Sequence, residues 1–256
     1  KNKICKKFVK FKGNIKNKSA VNNWVKNKKF DTIMHLASLV SVREANKNFK
    51  EAKKINYTGT KHLVDAVIKY KPKLKWFFFT STAHVYALKN NDILVNENSK
   101  KKPLSKYGKS KLLAERYIED KLKKKNIPYC IVRIFNIADE RQSNNFFYKS
   151  SKLRIKNKKN KKIIFENINH YRDFMNINHL IKIIKKIYKK RVIGIFNVGS
   201  GQKTYLVDMI KILIKRYNKK LELIENNNKT YLIANIQKLK KELSLSKIRF
   251  NILKNL

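Results

Sequence analysis

At 256 residues, with 42% apolar and 11% aromatic residues, the chain can bury the core of one α/β domain with an appended lobe, or of two small domains. No run approaches the ~18 uninterrupted apolar residues that a bilayer crossing needs, so no membrane span is expected. The 63 basic residues against 17 acidic ones give a formal charge of +46, but the excess is spread along the whole chain, which reads as solvated surface rather than a nucleic-acid-binding tail.

In chain order, the start Lys1-Asn2-Lys3-Ile4-Cys5 has neither Met nor a signal-peptide core, so the chain reads as an excerpt of a longer protein. Thr32 to Leu36 reads as a short buried strand, followed by a helical stripe of Leu63, Val64, Val67 and Ile68. Trp76 to Phe79 and Tyr129 to Ile134 are further strands. The Lys-rich stretch Lys149 to Lys162 reads as a mobile or boundary segment. It lacks interleaved aromatic residues, so it is a weak nucleic-acid signal. Leu180, Ile181, Ile184, Ile187 and Tyr188 form a second helical stripe, Ile193 to Val198 a fourth strand, and Asn226-Asn227-Asn228-Lys229 a polar loop. Strands alternating with crossover helices predict an α/β fold with a doubly wound parallel sheet. The two cysteines, Cys5 and Cys130, make neither a disulfide framework nor a metal cluster. No metal site and a reducing, cytoplasmic setting are expected.

A Tyr-x-x-x-Lys spacing sets a phenol and an ammonium one helical turn apart, and the ammonium favours the phenolate, a proton acceptor. Three such pairs occur: Tyr57 with Lys61, Tyr107 with Lys111, and Tyr148 with Lys152. Lysine is frequent enough to produce these by chance, so context must choose. Around Tyr107 the context is rich: a strand ending at Phe79, then Thr80-Ser81-Thr82-Ala83-His84-Val85-Tyr86, then Glu97, Pro103 and Ser105-Lys106-Tyr107-Gly108-Lys109-Ser110-Lys111, with Ala114-Glu115 following. This order resembles the extended short-chain dehydrogenase/reductases of the nucleotide-sugar epimerase/dehydratase branch.

More segments follow the same family in order. Phe8 to Ile15 resembles its V-x-G-D-I segment, with Asn14 where Asp is usual. Asp31 to Ala37 resembles D-x-V-x-H-L-A, and Asn56-Tyr57-Thr58-Gly59-Thr60 resembles N-V-x-G-T, which makes Tyr57 structural. Arg133 to Asn136 resembles R-x-F-N, Tyr171 to Phe174 the R-D-F/Y segment, and Phe196 to Gly201 with Thr204 the late Y-N-V-G-S-G turn. The resemblance implies catalytic Thr82, Tyr107 and Lys111: Thr82 orients a sugar hydroxyl, Tyr107 is the acid/base, and Lys111 lowers the tyrosine pKa and holds the nicotinamide ribose. It implies cofactor contacts from Asn14, Ile15, Leu36, Ala37, Ser38, Asn56, Tyr107 and Lys111, and substrate contacts from Thr82, Ala83, His84, Asn136 and Arg172. Asp173, Phe174 and Tyr86 read instead as packing residues.

The family's opening strand and G-x-x-G-x-x-G turn have no counterpart here, so the expected fold is Rossmann-like without its first strands and Gly-rich loop, and poor dinucleotide binding is expected. Residues 1–136 would form a partial dinucleotide-binding domain. Residues 137–256 would be mainly a small C-terminal substrate lobe, with 171–200 returning to the sheet. Ala83 and His84 stand where related dehydratases and decarboxylases carry an acid, which favours an NAD-dependent nucleotide-sugar epimerase, acting at C4, with NADP also open. An NADPH-dependent 4-keto-6-deoxy nucleotide-sugar reductase stays the alternative, since Arg141-Gln142-Ser143 resembles that group. An inactive remnant or a basic binding protein is the second alternative. The partners implied are a nucleotide-diphosphate sugar and a second copy paired through the helices after Asn46 and Ser105.

Overall fold

The computed structural model describes residues 8–157, 162–224 and 229–245. The expectations for Cys5 and the N-terminal segment, for the end of the basic run at 158–161 and for Asn226 to Asn228 lie outside the described residues. The chain divides into two compact units: Lys1–Ser81 with Leu104–Ile131, and Thr82–Pro103 with Val132–Leu256.

The first unit opens with α1 (Lys18–Asn27), started by Asn17, whose side chain accepts from the Ala20 amide. Then come β1 (Thr32–His35), α2 (Val42–Lys47) and α3 (Phe49–Lys53). A π-helical turn, Lys54–Thr58, runs straight into α4 (Gly59–Tyr70). β2 (Trp76–Thr82) follows, and α5 (Lys106–Lys124) begins at Ser105, whose hydroxyl accepts from the Gly108 amide. β3 (Tyr129–Ile134) begins in this unit, which ends at Ile131. β1 and β2 pair in parallel, Thr32 with Trp76 through His35 with Phe79. Helix α1 packs on α4, while α2, α3 and the π-helical turn pack on α5. Trp76, Phe77, Phe78 and Phe79 are all fully buried, as a strand covered on both faces demands.

The second unit carries β4 (Asn136–Ile137), α6 (Phe147–Asn157), β5 (Lys162–Glu166), β6 (His170–Arg172), β7 (Phe174–Met175) and α7 (Ile177–Lys190). After these come β8 (Gly194–Val198), β9 (Thr204–Tyr205), α8 (Leu206–Arg216), β10 (Lys220–Ile224), β11 (Thr230–Leu232) and α9 (Gln237–Leu243). The main sheet has the order β1-β2-β3-β8, which confirms the α/β class. Small pairs β10-β5 and β4-β7 and a three-stranded β11-β6-β9 sheet lie in the second unit. There Tyr231, Tyr171 and Tyr205 stand in register on adjacent strands, with ring centroids 4.8 and 4.7 Å apart, a cross-strand aromatic ladder.

Two expectations need correction. The basic run is not a loose boundary up to residue 157: α6 occupies it, burying Tyr148, Ser151 and Ile155, while Lys149 and Lys152 are partly covered and pair with Glu140. On α7 the buried stripe is Leu180, Ile183 and Ile187, and Ile181 is exposed, because a 3.6-residue period brings the third and seventh residues after 180 back to one face. Among the described residues no helix is long and apolar enough to cross a membrane, and no group of metal-ligating side chains is found.

Candidate active site

In the first unit the strand β1 ends at His35 and releases an exposed loop through Leu36 and Ala37 to Ser38. Asn56, fully buried in the π-helical turn, pins this loop. Its Oδ1 accepts from Ser38 Oγ (2.9 Å) and from the Leu39 amide (2.8 Å), and its Nδ2 donates to the Leu39 carbonyl and to Ser110 Oγ (both 3.0 Å). The widened turn brings an amide side chain between a loop and α5, a use of π-turns seen often at functional sites. Ser110 in turn donates to the Tyr107 carbonyl at 2.7 Å. Tyr107 packs with Ala45 and Ala52, flanked by Leu39 and Val42, and is 8% exposed.

Lys111 follows one turn later and is fully buried. Its Nζ lies 3.5 Å from Ser38 Oγ and 4.0 Å from the Phe79 ring centroid. Ser38 gives its proton to Asn56, so a lone pair faces the ammonium. Burial lowers the Lys111 pKa to about 7, opposed by the charge of Glu115. His35 is buried with Nε2 2.8 Å from Thr60 Oγ1, and Thr60 donates its own proton to the Asn56 carbonyl at 2.7 Å. Nε2 must therefore be the donor, and the surroundings decide the charge of the ring. Burial and then the Lys111 charge lower its pKa to about 3, so the ring is neutral at pH 7.

In the second unit Thr82 Oγ1 accepts from the His84 amide at 3.3 Å and starts the 3-10 turn Ala83–Val85. Burial, then the positive charge of Arg172, lower His84 to about 4, so its imidazole is neutral at pH 7. Arg172 donates through Nη1 to the Tyr171 and Thr230 carbonyls (2.8 and 3.0 Å) and through Nη2 to Thr230 Oγ1 (3.0 Å). Burial lowers it to about 10, still charged at neutral pH. Asn136 donates through Nδ2 to the Asp173 carbonyl at 3.1 Å. Asp173 is fully buried and is a tie between turns: Oδ1 accepts from the Ser200 amide and hydroxyl (2.8 and 2.6 Å), Oδ2 from the amides of Gly201 and Ala234 (2.9 and 3.2 Å). A Cβ on Gly199 would lie 2.5 Å from Asp173 Oδ2, so only glycine allows this approach. Tyr86 is equally committed, donating to Asn197 Oδ1 at 2.7 Å and accepting from Arg133 Nη1 at 2.8 Å.

A model of the GDP-mannose 4,6 dehydratase family matches residues 1–250. The chain belongs to this family. A dTDP-D-glucose 4,6-dehydratase of Dictyostelium discoideum is 28% identical over 219 residues, covering 81% of this chain and 50% of that protein. The chain spans 50 to 61% of the length of the curated relatives it matches. The structure of RMD from Pseudomonas aeruginosa complexed with NADPH superposes with a TM-score of 0.83 at 18% identity, covering 96% of this chain and 86% of that one. The UDP-glucose 4-epimerase of Thermotoga maritima with UDP-glucose gives 0.78 at 19% identity, covering 95% and 80%. These two likenesses show the shared Rossmann-like fold.

In this dehydratase-family chain the structure gathers Ser38, Asn56, Tyr107 and Lys111 of the expected cofactor set into one cluster of the first unit. Ile15 lies beneath Gly59, while Asn14, Leu36 and Ala37 are exposed. Thr82, Ala83, His84, Asn136 and Arg172 belong to the second unit. The family motifs gave no role to His35, Phe79, Ser110 or Ser81, nor to Glu115, although the four-residue step from Lys111 to Glu115 is visible in the sequence.

Proposed function

We propose that this protein is an NAD(P)-dependent nucleotide-sugar epimerase acting at C4. The observation that carries the reading is the buried Lys111 ammonium one turn after Tyr107, combined with no acid at positions 83 and 84. Ala83 is buried and His84 is held neutral at pH 7, so neither supplies the carboxylic acid that related eliminations use.

The residues fit a nicotinamide dinucleotide at its ribose. Of the three ammonium protons of Lys111, one faces Ser38, and no other acceptor within hydrogen-bond range is found among the described residues. Such a donor set at the carboxyl end of β1 suits a vicinal diol. The cofactor, when bound, supplies reversible hydride acceptance from a sugar carbon. Tyr107 takes the proton of the C4 hydroxyl and keeps it until the sugar has presented its other face, then returns it. The Lys111 ammonium stabilises the phenolate charge, and Thr82 donates a hydrogen bond to the sugar oxygen as its charge develops. Arg172 offers a guanidinium to a diphosphate. A homodimer belongs to the same proposal.

The test uses protein expressed from its whole reading frame, incubated with NAD and UDP-glucose, UDP-galactose or their N-acetyl forms, with the sugars separated by chromatography. Interconversion without net cofactor consumption is expected, and Tyr107→Phe should slow it about 10²- to 10⁴-fold. Full activity in Tyr107→Phe would sink the assignment. Consumption of NADPH with a 4-keto-6-deoxy sugar, and no interconversion, would replace it with the reductase reading.

A further inference from the structure

We infer that Glu115 is the positioning residue that keeps Lys111 charged, a role that rests on reading Lys111 as the working lysine. The residues lie four apart on α5 and so share a face, one turn apart. Glu115 is fully buried, and Ser81, at the end of β2, donates a short hydrogen bond to its Oε1. A carboxylate without water is costly unless donors and a cation compensate it. Ser81 provides a donor, and the buried cation on the same helical face is Lys111.

The need runs the other way as well. Lys111 has the neutral hydroxyl of Ser38 at 3.5 Å and the face of Phe79, which together are thin compensation for an ammonium taken out of water. Among the described residues, His35 from β1 and Glu115 from its own helix interact with its charge, and Tyr107 lies one turn before it; Ser38 faces it from the loop after β1, backed by Asn56. His35 is held neutral by its burial and by the Lys111 charge, and Tyr107 is neutral until it has lost its proton. That leaves Glu115 as the standing negative charge of the group. Burial drives the lysine toward losing its proton at neutral pH, and Glu115 opposes it. Ser81 fixes the carboxylate from β2, so strand, helix and working lysine are tied into one charge arrangement.

The test reads the charge of Lys111 directly and does not depend on catalysis. Protein carrying lysine labelled at Cε and Nζ is titrated by NMR, and the outlying resonance is assigned by its loss in Lys111→Met. Glu115→Gln should lower its midpoint by about one pH unit or more, a tenfold fall in the charged-to-neutral ratio. Glu115→Asp, which keeps a charge, should lower it less. An unmoved Lys111 midpoint in Glu115→Gln, or equal falls in the Gln and Asp variants, overturns the inference. Should Glu115→Gln fail to fold, an unmoved Lys111 midpoint in Glu115→Asp overturns it alone. Loss of the epimerase reading, by contrast, would leave these titrations unchanged.

Discussion

Lys111 in the first unit and Arg133 in the second are both cations removed from water, and they are held in opposite ways. Arg133 donates to the Tyr86 hydroxyl and the Glu97 carbonyl, and its guanidinium lies over the Tyr86 ring at 5.0 Å. Around it Asn197 accepts from Tyr86, donates to the Val95 carbonyl and gives its amide proton to Glu97. Asp173 is likewise saturated, by four donors. Among the described residues Lys111 has one hydroxyl at the limit of hydrogen-bond distance and the face of Phe79. Buried polar groups that fold a protein are satisfied within it, whereas a buried charge with donors to spare is suited to receiving something else. On that physical ground the saturated networks around Arg133 and Asp173 are architecture, and the first unit's cluster suits the role proposed for Tyr107 and Lys111.

The largest effect should come from breaking the saturated side. Asp173→Asn keeps the volume but sets an amide group against donors from Ser200, Gly201 and Ala234. It should cost about 3–5 kcal/mol of stability, read as a shift of the urea midpoint at pH 7. A shift under about 1 kcal/mol would mean that these bonds are weaker than their geometry implies and would blur the contrast between the two units.

How much of this could be read beforehand differs by kind of signal. Apolar runs marked β1, β2, β3 and β8 because a strand covered on both faces must be apolar throughout. The motif around Tyr107 was legible because Ser105 caps a helix and the Tyr-Lys step is local. The π-helical turn at Asn56, the Ser81–Glu115 bond and the nearness of His84 to Arg172 were not legible. They pair side chains far apart in sequence, and such pairs leave no periodicity. The same holds for Thr82–Pro103, which joins the second unit through non-local contacts such as the bridges of Lys89 with Tyr231 and Val95 with Ala234. Composition misled at α6, where frequent lysines concealed the buried stripe of Tyr148, Ser151 and Ile155.

A smaller effect, opposite in sign, should come from the unsaturated side. Replacing both buried charges, Lys111→Met together with Glu115→Gln, removes a poorly compensated ammonium without stranding the carboxylate and should stabilise the fold by about 2–3 kcal/mol at pH 6 while removing the proposed activity. The sign with pH follows from the shift. Lys111 in the fold has a pKa of about 7, below its ordinary 10.5. Between those values the unfolded chain holds a proton that the folded chain has released, so the stability of the parent rises with pH across that window and is flat below it. The double variant lacks this rise. Its advantage should be widest at pH 6 and should close by pH 10, as read by urea midpoints at both. An advantage independent of pH would mean that packing, not charge, explains it.

The smallest effect sharpens the comparison inside the first unit, where the scaffold of the cluster depends on a close approach. Gly59 opens α4 directly after the π-helical turn that carries Asn56, and its backbone is ordinary α-helix, so glycine is not there for a turn. A Cβ would lie 2.7 Å from Ile15 Cγ2 and 3.0 Å from Cγ1. Those are the branching atoms of a stiff side chain rather than the far end of a flexible one. Alanine would gain about 0.5–1 kcal/mol in helix propensity and lose about 1–3 kcal/mol to overpacking, so Gly59→Ala should cost about 1 kcal/mol net. Adding Ile15→Ala to Gly59→Ala should recover part of that cost, although Ile15→Ala alone is destabilising. A double-mutant cycle in urea isolates this coupling. Purely additive costs would show that Ile15 is not what glycine accommodates, and would leave the residue's choice at that helix start unexplained.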